Sequence, residues 1–387
     1  MGPLPWREAW HQALYAAERG FYVTRGGPAA HFTTATHGPT GAALAAALLQ
    51  LWLRDHDDLP AVVVDVGAGR GELASHLFRA LADPALDESR YAVAPGREAT
   101  PPPSDAAPES RYAVAPGRDE SPPPSGASVA DDVEWALSGG RERGEVPTRV
   151  VAVDVVDRPD GLDERVEWLR SPGGEALPPE LTDLRDALVV AHEWLDVVPC
   201  TVAQVDASGT ARTVLVDPDT GEETLGAPLA DAEEAWVRAH WPATTPGERV
   251  EVGLARDRAW ADLVSRVRSG TLLAVDYGHT AAGRPSGGTL TAYAHGQQTT
   301  PVPDGTCDVT AHVAMDSLDA DEVRTQRETL HALGVTGVTP PHALARAQPL
   351  AYLAALERTG AEARLLDRQG FGAFWWALKR VHEHPVA

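Results

Sequence analysis

Apolar positions along the chain fall into two kinds of pattern. Short continuous runs of valine, alanine and leucine, which are typical of buried strands, cover residues 61–66, 150–156, 187–191 and 272–276. Stripes with a period near that of a helix cover residues 6–18, 39–54, 72–82 and 251–268. Because strands alternate with helices, the pattern predicts an α/β fold with a mostly parallel, doubly wound sheet.

Two other segments show the two-residue period of a strand. Residues 202–205 and 212–216 flank the turn sequence Ala207-Ser-Gly and predict a small hairpin. Near the end of the chain, Asp308, Thr310 and His312 alternate with apolar neighbours. A strand there would place the three polar side chains on one face of a sheet.

One long segment lacks the composition of a packed core. The ten residues 88–97 recur as residues 109–118, and each copy is followed by three prolines. Sequence rich in Pro, Ser and acidic residues buries too little apolar surface to order itself. We therefore predict a flexible insertion at residues 84–147, with a docking motif as the alternative.

The insertion and the helical start suggest how the chain is organised. We divide it into an N-terminal helical cap, residues 1–58, and one α/β domain, residues 59–387. Within that domain we place the insertion at 84–147 and a small subdomain at about 200–265. The 387 residues suffice for such a domain with insertions.

Charge and composition narrow the range of partners and compartments. The net charge of −23 repels phosphate backbones, so we expect no nucleic-acid partner, whereas it suits a basic protein partner. The longest apolar stretch, residues 41–53, is shorter than the about 20 residues that cross a bilayer, so we expect no membrane partner. Two cysteines and no basic, apolar leader predict a cytoplasmic protein.

A glycine-rich turn follows the first predicted strand and opens a helix. Its pattern is Gly-x-Gly-x-Gly, and Glu72 occupies the position of the third glycine in a dinucleotide-binding turn. A carboxylate is unfavourable beside a pyrophosphate, but it suits S-adenosylmethionine (SAM), which carries a sulfonium and an amino group and no phosphate. We therefore predict a SAM site formed by Asp65, Gly67, Ala68, Gly69 and Gly71.

An acid at the end of the next strand would hold the ribose hydroxyls, usually about 20 residues further on. Asp154 lies 19 residues after Gly71 once residues 84–147 are left out. We predict Asp154 for this position, with Asp157 as the alternative.

Residues 189–199, Val-Val-Ala-His-Glu-Trp-Leu-Asp-Val-Val-Pro, resemble a motif of the MidA-like methyltransferases. These are related to the mitochondrial complex I assembly factor that methylates a protein arginine. Position 192 is His where the family usually has Asn. Further similar stretches are residues 13–15, 20–22, 32–34, 275–278, 288–293, 308–313 and 325–326.

The resemblance implies a Rossmann-like class I methyltransferase fold, SAM as cofactor, S-adenosylhomocysteine as product and a protein arginine as acceptor. It also adds His192 to the predicted cofactor-binding residues. No spacing of the histidines is typical of a metal site, so we expect no metal. We leave open the possibility that the protein forms a homodimer.

The same motif contains the predicted acceptor site. Glu193 and Asp196 follow a strand end, where α/β sheets bind ligands, and two carboxylates could hold a guanidinium group. His312 is a candidate for helping to remove the acceptor's proton. Two alternatives stay open: a small-molecule O- or N-methyltransferase, and a SAM-binding assembly factor without catalysis, which the His192 departure suggests.

Overall fold

The computed structural model describes residues 2–24, 34–82 and 148–383. The insertion predicted at 84–147 and its internal repeat therefore lie outside the described residues. The division into a helical cap and an α/β domain stays a prediction.

The described helices are α1 (Trp6–Tyr15), α2 (Phe21–Thr24), α3 (Gly38–Asp55), α4 (Glu72–Leu81), α5 (Asp231–His240), α6 (Leu254–Ser265), α7 (Gln326–Ala332), α8 (His342–Ala347) and α9 (Pro349–Leu365). The described strands are β1 (Leu4–Pro5), β2 (Val62–Val66), β3 (Arg149–Asp154), β4 (Val166–Arg170), β5 (Ala187–His192), β6 (Thr201–Val205), β7 (Ala211–Val216), β8 (Glu223–Pro228), β9 (Arg249–Val252), β10 (Gly270–Asp276), β11 (Gly278–His279), β12 (Thr291–Ala294), β13 (Gln297–Thr299), β14 (Asp308–Thr310), β15 (Val313–Ala314), β16 (Glu322–Thr325) and β17 (Trp375–Val381).

A seven-stranded sheet forms the centre of the fold. Its strands follow the order β16, β17, β10, β5, β2, β3, β4. The five from β10 to β4 are mutually parallel, and β17 runs antiparallel to both of its neighbours. All residues of β2, β5 and β10 are buried, which explains their continuous apolar runs. The predicted α/β class with a mostly parallel sheet is confirmed.

Helices cover both faces of this sheet. On one face α3 and α4 pack through residues such as Leu48 and Leu77. On the other face α6 packs through Trp260 and Leu263. Because side chains of a strand alternate between faces, Val63 and Val64 of β2 belong to different cores. No helix in the described ranges combines the length and the apolar character that a bilayer crossing requires.

A smaller antiparallel sheet lies in the region predicted as a subdomain. Strands β6 and β7 pair antiparallel and form the predicted hairpin. On either side of this pair, β9 joins β6, and β1 and β8 join β7. The N-terminal helix α1 packs onto this sheet through Trp6 and Trp10, which are fully buried beside Val202 and Val214.

The prediction of a helix over 251–268 is wrong at its start. Residues 249–252 form strand β9, and α6 begins only at Leu254. Val250 and Val252 alternate with Arg249 and Glu251. Four residues are too few to distinguish this two-residue period from the period of a helix. The predicted strand near Asp308 is also shorter than expected, because β14 ends at Thr310 and His312 lies beyond it.

Gln326 ties the antiparallel edge of the central sheet to the last helix. Its Nε2 donates to the carbonyls of Leu365 (3.1 Å) and Phe371 (2.9 Å), and its Oε1 accepts from Trp376 Nε1 at 3.0 Å. We expect Gln326→Leu, which has similar volume, to lower the free energy of unfolding by about 3 kcal/mol, because buried partners lose their hydrogen bonds. Urea unfolding measures this, with exposed Gln369→Leu as the control. Equal stability of the two variants would contradict the assignment.

Candidate active site

The glycine turn after β2 leads directly into α4. Gly67 and Gly69 have φ angles of 77° and 60°, which side chains beyond glycine rarely adopt. The N–H groups of Gly67 and Ala68 donate to the carbonyl of Val153 at 2.9 and 3.1 Å. The turn is therefore held against the end of β3, and Gly71 starts α4 with φ of 77°.

Two aspartates bracket the turn. Asp154, at the end of β3, accepts from Gly69 N at 2.8 Å and from Val156 N at 3.2 Å. Asp65, at the end of β2, accepts from Ala74 N in the first turn of α4 at 3.0 Å. Burial raises the pKa of Asp154 to about 6 and that of Asp65 to about 7, although these hydrogen bonds act in the opposite direction.

A cavity of about 260 Å³ opens between the glycine turn and the N-terminal helices. Gly67, Gly69 and Asp154 line one side, and Trp194 lines another. Tyr15 of α1 and Tyr22 of α2 also line it. The predicted alternative to Asp154, Asp157, is 84% exposed and forms an ion pair with Arg170.

A second, smaller cavity of about 70 Å³ lies at the same turn. It is lined by Asp65, Glu72, His37 and His192 among others. The Nε2 atom of His192 is buried without a hydrogen-bond partner. Burial lowers the pKa of His192 to about 4, so its ring is neutral near pH 7. A neutral imidazole with an unused nitrogen can still accept or donate one hydrogen bond to a ligand.

The two predicted acceptor carboxylates lie just beyond β5. Glu193 adopts φ of 52°, an uncommon conformation for a residue with a side chain. Asp196 accepts from Thr310 Oγ1 at 2.7 Å through one oxygen. Glu193 Oε1 and Asp196 Oδ1 are both buried without a hydrogen-bond partner. His192 Nδ1 lies 3.3 Å from Glu193 Oε1 but without hydrogen-bond geometry.

Two further carboxylates complete an acidic cluster. Asp276, at the end of β10, accepts from Leu195 N (2.9 Å) and Asp196 N (3.2 Å) and so holds the loop after β5. Asp308 accepts from the Tyr22 hydroxyl at 2.7 Å. Burial, then the charges of Asp196 and Asp308, raises the pKa of Glu193 to about 8.

One buried cation faces this cluster. Arg256 of α6 is 1% exposed and donates to the backbone carbonyls of Asp196, Val198 and His312 at 2.7 to 3.1 Å. Because these donors are directed at carbonyls, the guanidinium attracts the carboxylates without bonding to the unpartnered oxygens.

The predicted residue His312 lies next to this cluster but in a different environment. Its ring stacks on Tyr277, with centroids 6.0 Å apart, and lies 6.4 Å from His279. Burial and the charge of Arg256 lower the pKa of His312 to about 4. The structure thus places Asp196 close enough to Glu193 for its charge to act there, and it places the His312 ring against aromatic neighbours.

Sequence reasoning missed Tyr15, Tyr22 and Arg256. The two tyrosines lie within the N-terminal segments used for the family resemblance, but nothing local indicated that they reach the cavity. Nothing in the sequence indicated that Arg256 is buried, because an Arg on a helix is usually exposed.

Comparison with known proteins places these features in a family. Residues 126–336, more than half of the chain, match the family model described as "Putative S-adenosyl-L-methionine-dependent methyltransferase". The chain belongs to this methyltransferase family. MidA-like proteins belong to it as well, so the predicted family is confirmed.

Solved structures support the fold of this methyltransferase. A COG1565 superfamily member from Burkholderia thailandensis, bound to S-adenosyl-homocysteine, matches with a TM-score of 0.62 and 21% identity over 97% of this chain and 87% of that chain. A native structure of a COG1565 superfamily protein from the same organism matches with a TM-score of 0.63 and 21% identity over 98% and 87%. No curated protein matches the sequence.

The cofactor of the family is SAM, and the residues present fit it. The cavity at the glycine turn carries Asp154 and Glu193, and the adjoining small cavity carries Asp65 and Glu72. Acidic walls suit a ligand with a sulfonium and an ammonium group and disfavour phosphates. The unpartnered atom His192 Nε2 offers it a hydrogen-bonding position.

The raised pKa of Glu193 makes the stability of the SAM-free methyltransferase depend on pH. Between its ordinary pKa and about 8, the folded protein keeps a proton that the unfolded chain releases. We therefore expect the free energy of unfolding to fall as the pH rises from 5.5 to 8. Glu193→Gln should reduce this fall and be more stable than wild type at pH 8.

Urea unfolding at the two pH values measures the effect. Exposed Glu180→Gln serves as the control and should retain the wild-type dependence. A Glu193→Gln protein that loses stability with pH as steeply as wild type would show that Glu193 ionises normally.

Proposed function

We propose that this methyltransferase transfers the methyl group of SAM to an arginine side chain of a protein. The observation that carries the proposal is a pair of buried, unpartnered oxygens: Oε1 of Glu193, which lines the cavity at the glycine turn, and Oδ1 of Asp196, whose charge acts on Glu193. A guanidinium presents several N–H donors in one plane and can bond to both oxygens at once.

The sheet supports a Rossmann-like class I methyltransferase fold as part of this proposal. On one side of the central strand β2 lie β3 and then β4, and on its other side lie β5 and then β10. The order reverses between β2 and β5, and ligands of α/β sheets bind at such a switch point. The glycine turn and Glu193 follow these two strands.

SAM supplies a methyl group bonded to a positively charged sulfur. An acceptor nitrogen attacks the methyl carbon in line with the carbon–sulfur bond and displaces the sulfur. In our proposal Asp154 holds the ribose hydroxyls, and Gly67, Ala68, Gly69 and Gly71 let the backbone approach the ligand closely. Asp65 and His192 hold the amino acid end in the small cavity. These residues position the ligand and keep its two positive charges beside carboxylates.

Glu193 and Asp196 orient the acceptor. Their charges favour the placement of a cation next to the methyl group, where positioning contributes most to the rate. The net charge of −23 favours a basic protein as the source of that cation. A cationic small molecule would satisfy the same carboxylates, so the acceptor assay below must separate the two.

Asp154→Asn tests the cofactor part of the proposal. We expect calorimetry to show an affinity for SAM about 10-fold lower, because an amide replaces one charged acceptor of the ribose hydroxyls. The amide oxygen can keep the bond from Gly69 N, so the fold should persist. Asp157→Asn is the matched variant. If Asp157→Asn weakens binding and Asp154→Asn does not, the ribose acid is Asp157.

Asp196→Asn tests the acceptor part. With tritiated SAM and cell lysate, the wild type should label protein, and acid hydrolysis should yield labelled methylarginine. We expect the variant to label at least about 100-fold more slowly with unchanged SAM affinity, because the cation loses a charged partner in the aligned complex. Exposed Asp219→Asn is the control.

The distribution of label decides between this proposal and its alternatives. Label only in small molecules would indicate a small-molecule methyltransferase. Tight SAM binding without any label would indicate an assembly factor that lacks catalysis.

A further inference from the structure

Asp308 lies in the acidic cluster without a role in the proposal above. It is 7% exposed and sits on β14, the strand that also carries Thr310. Thr310, two residues further along the same strand, donates to Asp196 Oδ2 at 2.7 Å, and Ala311 N donates to the Asp196 carbonyl at 3.3 Å. Asp308 is therefore held beside Asp196 by its own strand.

A second element also reaches Asp308. The hydroxyl of Tyr22, from the short N-terminal helix α2, donates to Asp308 Oδ1 at 2.7 Å, and both side chains are more than nine-tenths buried. Tyr22 also lines the cavity at the glycine turn together with Glu193. The Tyr22–Asp308 pair thus borders both the cofactor cavity and the carboxylates that would hold the acceptor.

The methyl transfer requires a group that can take a proton. When the acceptor nitrogen bonds to the methyl group, the methyl–sulfur bond breaks and its electron pair stays on sulfur. A guanidinium nitrogen must then lose one proton for the product to keep a single positive charge. Glu193 and Asp196 hold the cation, and its presence favours their ionised forms, so they are poor proton acceptors at that moment.

We propose that Asp308 accepts the proton that the acceptor nitrogen releases, and that Tyr22 is the positioning residue that orients its carboxylate. This inference rests on the proposed function, because it assumes an acceptor held at Glu193 and Asp196. The proton passes to the Asp308 carboxylate and from there to solvent when the products leave. Asp308 thereby takes the role that the sequence suggested for His312.

The surroundings of Asp308 set the pH at which it can act. Tyr15 of α1, Tyr22 of α2, Glu193, Asp196 and the neighbouring Cys307 are the titratable groups that interact with it. Burial raises the pKa of Asp308 to about 7, while the bond from Tyr22 lowers it. A carboxylate that ionises near neutral pH is well matched to proton transfer there.

The test compares the pH dependence of kcat for methyl transfer at saturating acceptor in four proteins: wild type, Asp308→Asn, Tyr22→Phe and Tyr15→Phe. In the complex, Glu193 and Asp196 are already ionised beside the cation, so their titration does not appear in kcat. The wild-type kcat should rise with pH as Asp308 ionises. Asp308→Asn should be slower by about 100-fold at pH 8, the usual contribution of a general base, and should lose this rise. Calorimetry with SAM and thermal unfolding confirm that each variant is folded and binds the cofactor.

The tyrosine variants separate positioning from structural support. Tyr22→Phe removes the hydrogen bond that favours the ionised carboxylate, so the rise should move to higher pH while the rate at pH 9 approaches wild type. Tyr15→Phe is the matched control. It removes a 3.0 Å bond from the same cavity wall to the Val197 carbonyl and should leave the rise at the wild-type pH.

The outcomes distinguish this inference from the function on which it rests. An Asp308→Asn protein that keeps the rise, or a Tyr22→Phe protein whose rise stays in place, overturns the role of Asp308. If Asp308→Asn does not fold, the Tyr22→Phe profile decides alone. Methyl transfer only to a small molecule overturns arginine as acceptor, and the same profiles are then measured with that molecule. No transfer to any acceptor overturns both.

Discussion

The candidate site depends on the guanidinium of Arg256. Its three nitrogens bond to the carbonyls of Asp196, Val198 and His312, and its Cζ lies 5.6 Å from the centre of the Trp10 ring. One side chain of α6 therefore joins the loop after β5, the segment after β14 and the N-terminal helix. Without it, the carbonyls of Val198 and His312 would lose these bonds, and the Asp196 carbonyl would keep only the one from Ala311 N. A buried carbonyl left without a partner costs about 1–3 kcal/mol.

The same cation explains the electrostatic character of the site. Its donors are used by the backbone, so Asp196 and Asp276 feel its charge but do not accept its hydrogen bonds. Burying unpaired charges costs several kcal/mol per ion, and the empty site lowers this cost by holding protons. The raised pKa values of Glu193 and Asp308 express this balance. A cationic ligand changes it, because it favours the ionised carboxylates.

Local patterns explain how much of this could be predicted from sequence. The valine runs predict the central strands, and the spacing of the glycines predicts the turn and its cofactor. Glu193 and Asp196 could be named because both follow one strand end. The bond between Tyr22 and Asp308 joins residues 286 positions apart, and the bonds of Arg256 also span distant segments, so no period or spacing indicates them. The predicted helix wrongly includes the last two residues of β9, because a run of four alternating residues fits both patterns.

The backbone at Glu193 shows how the fold holds such a site ready. A non-glycine residue with φ of 52° costs about 1–3 kcal/mol and persists only where its surroundings enforce it. Glu193 N donates to the Val275 carbonyl at 2.9 Å, and Asp276 accepts from the two N–H groups of Leu195 and Asp196. Neighbouring β10 therefore fixes the strained turn and leaves Glu193 Oε1 without a partner. A strained residue with an unused buried oxygen costs stability, and a ligand that donates a hydrogen bond to this oxygen would offset that cost.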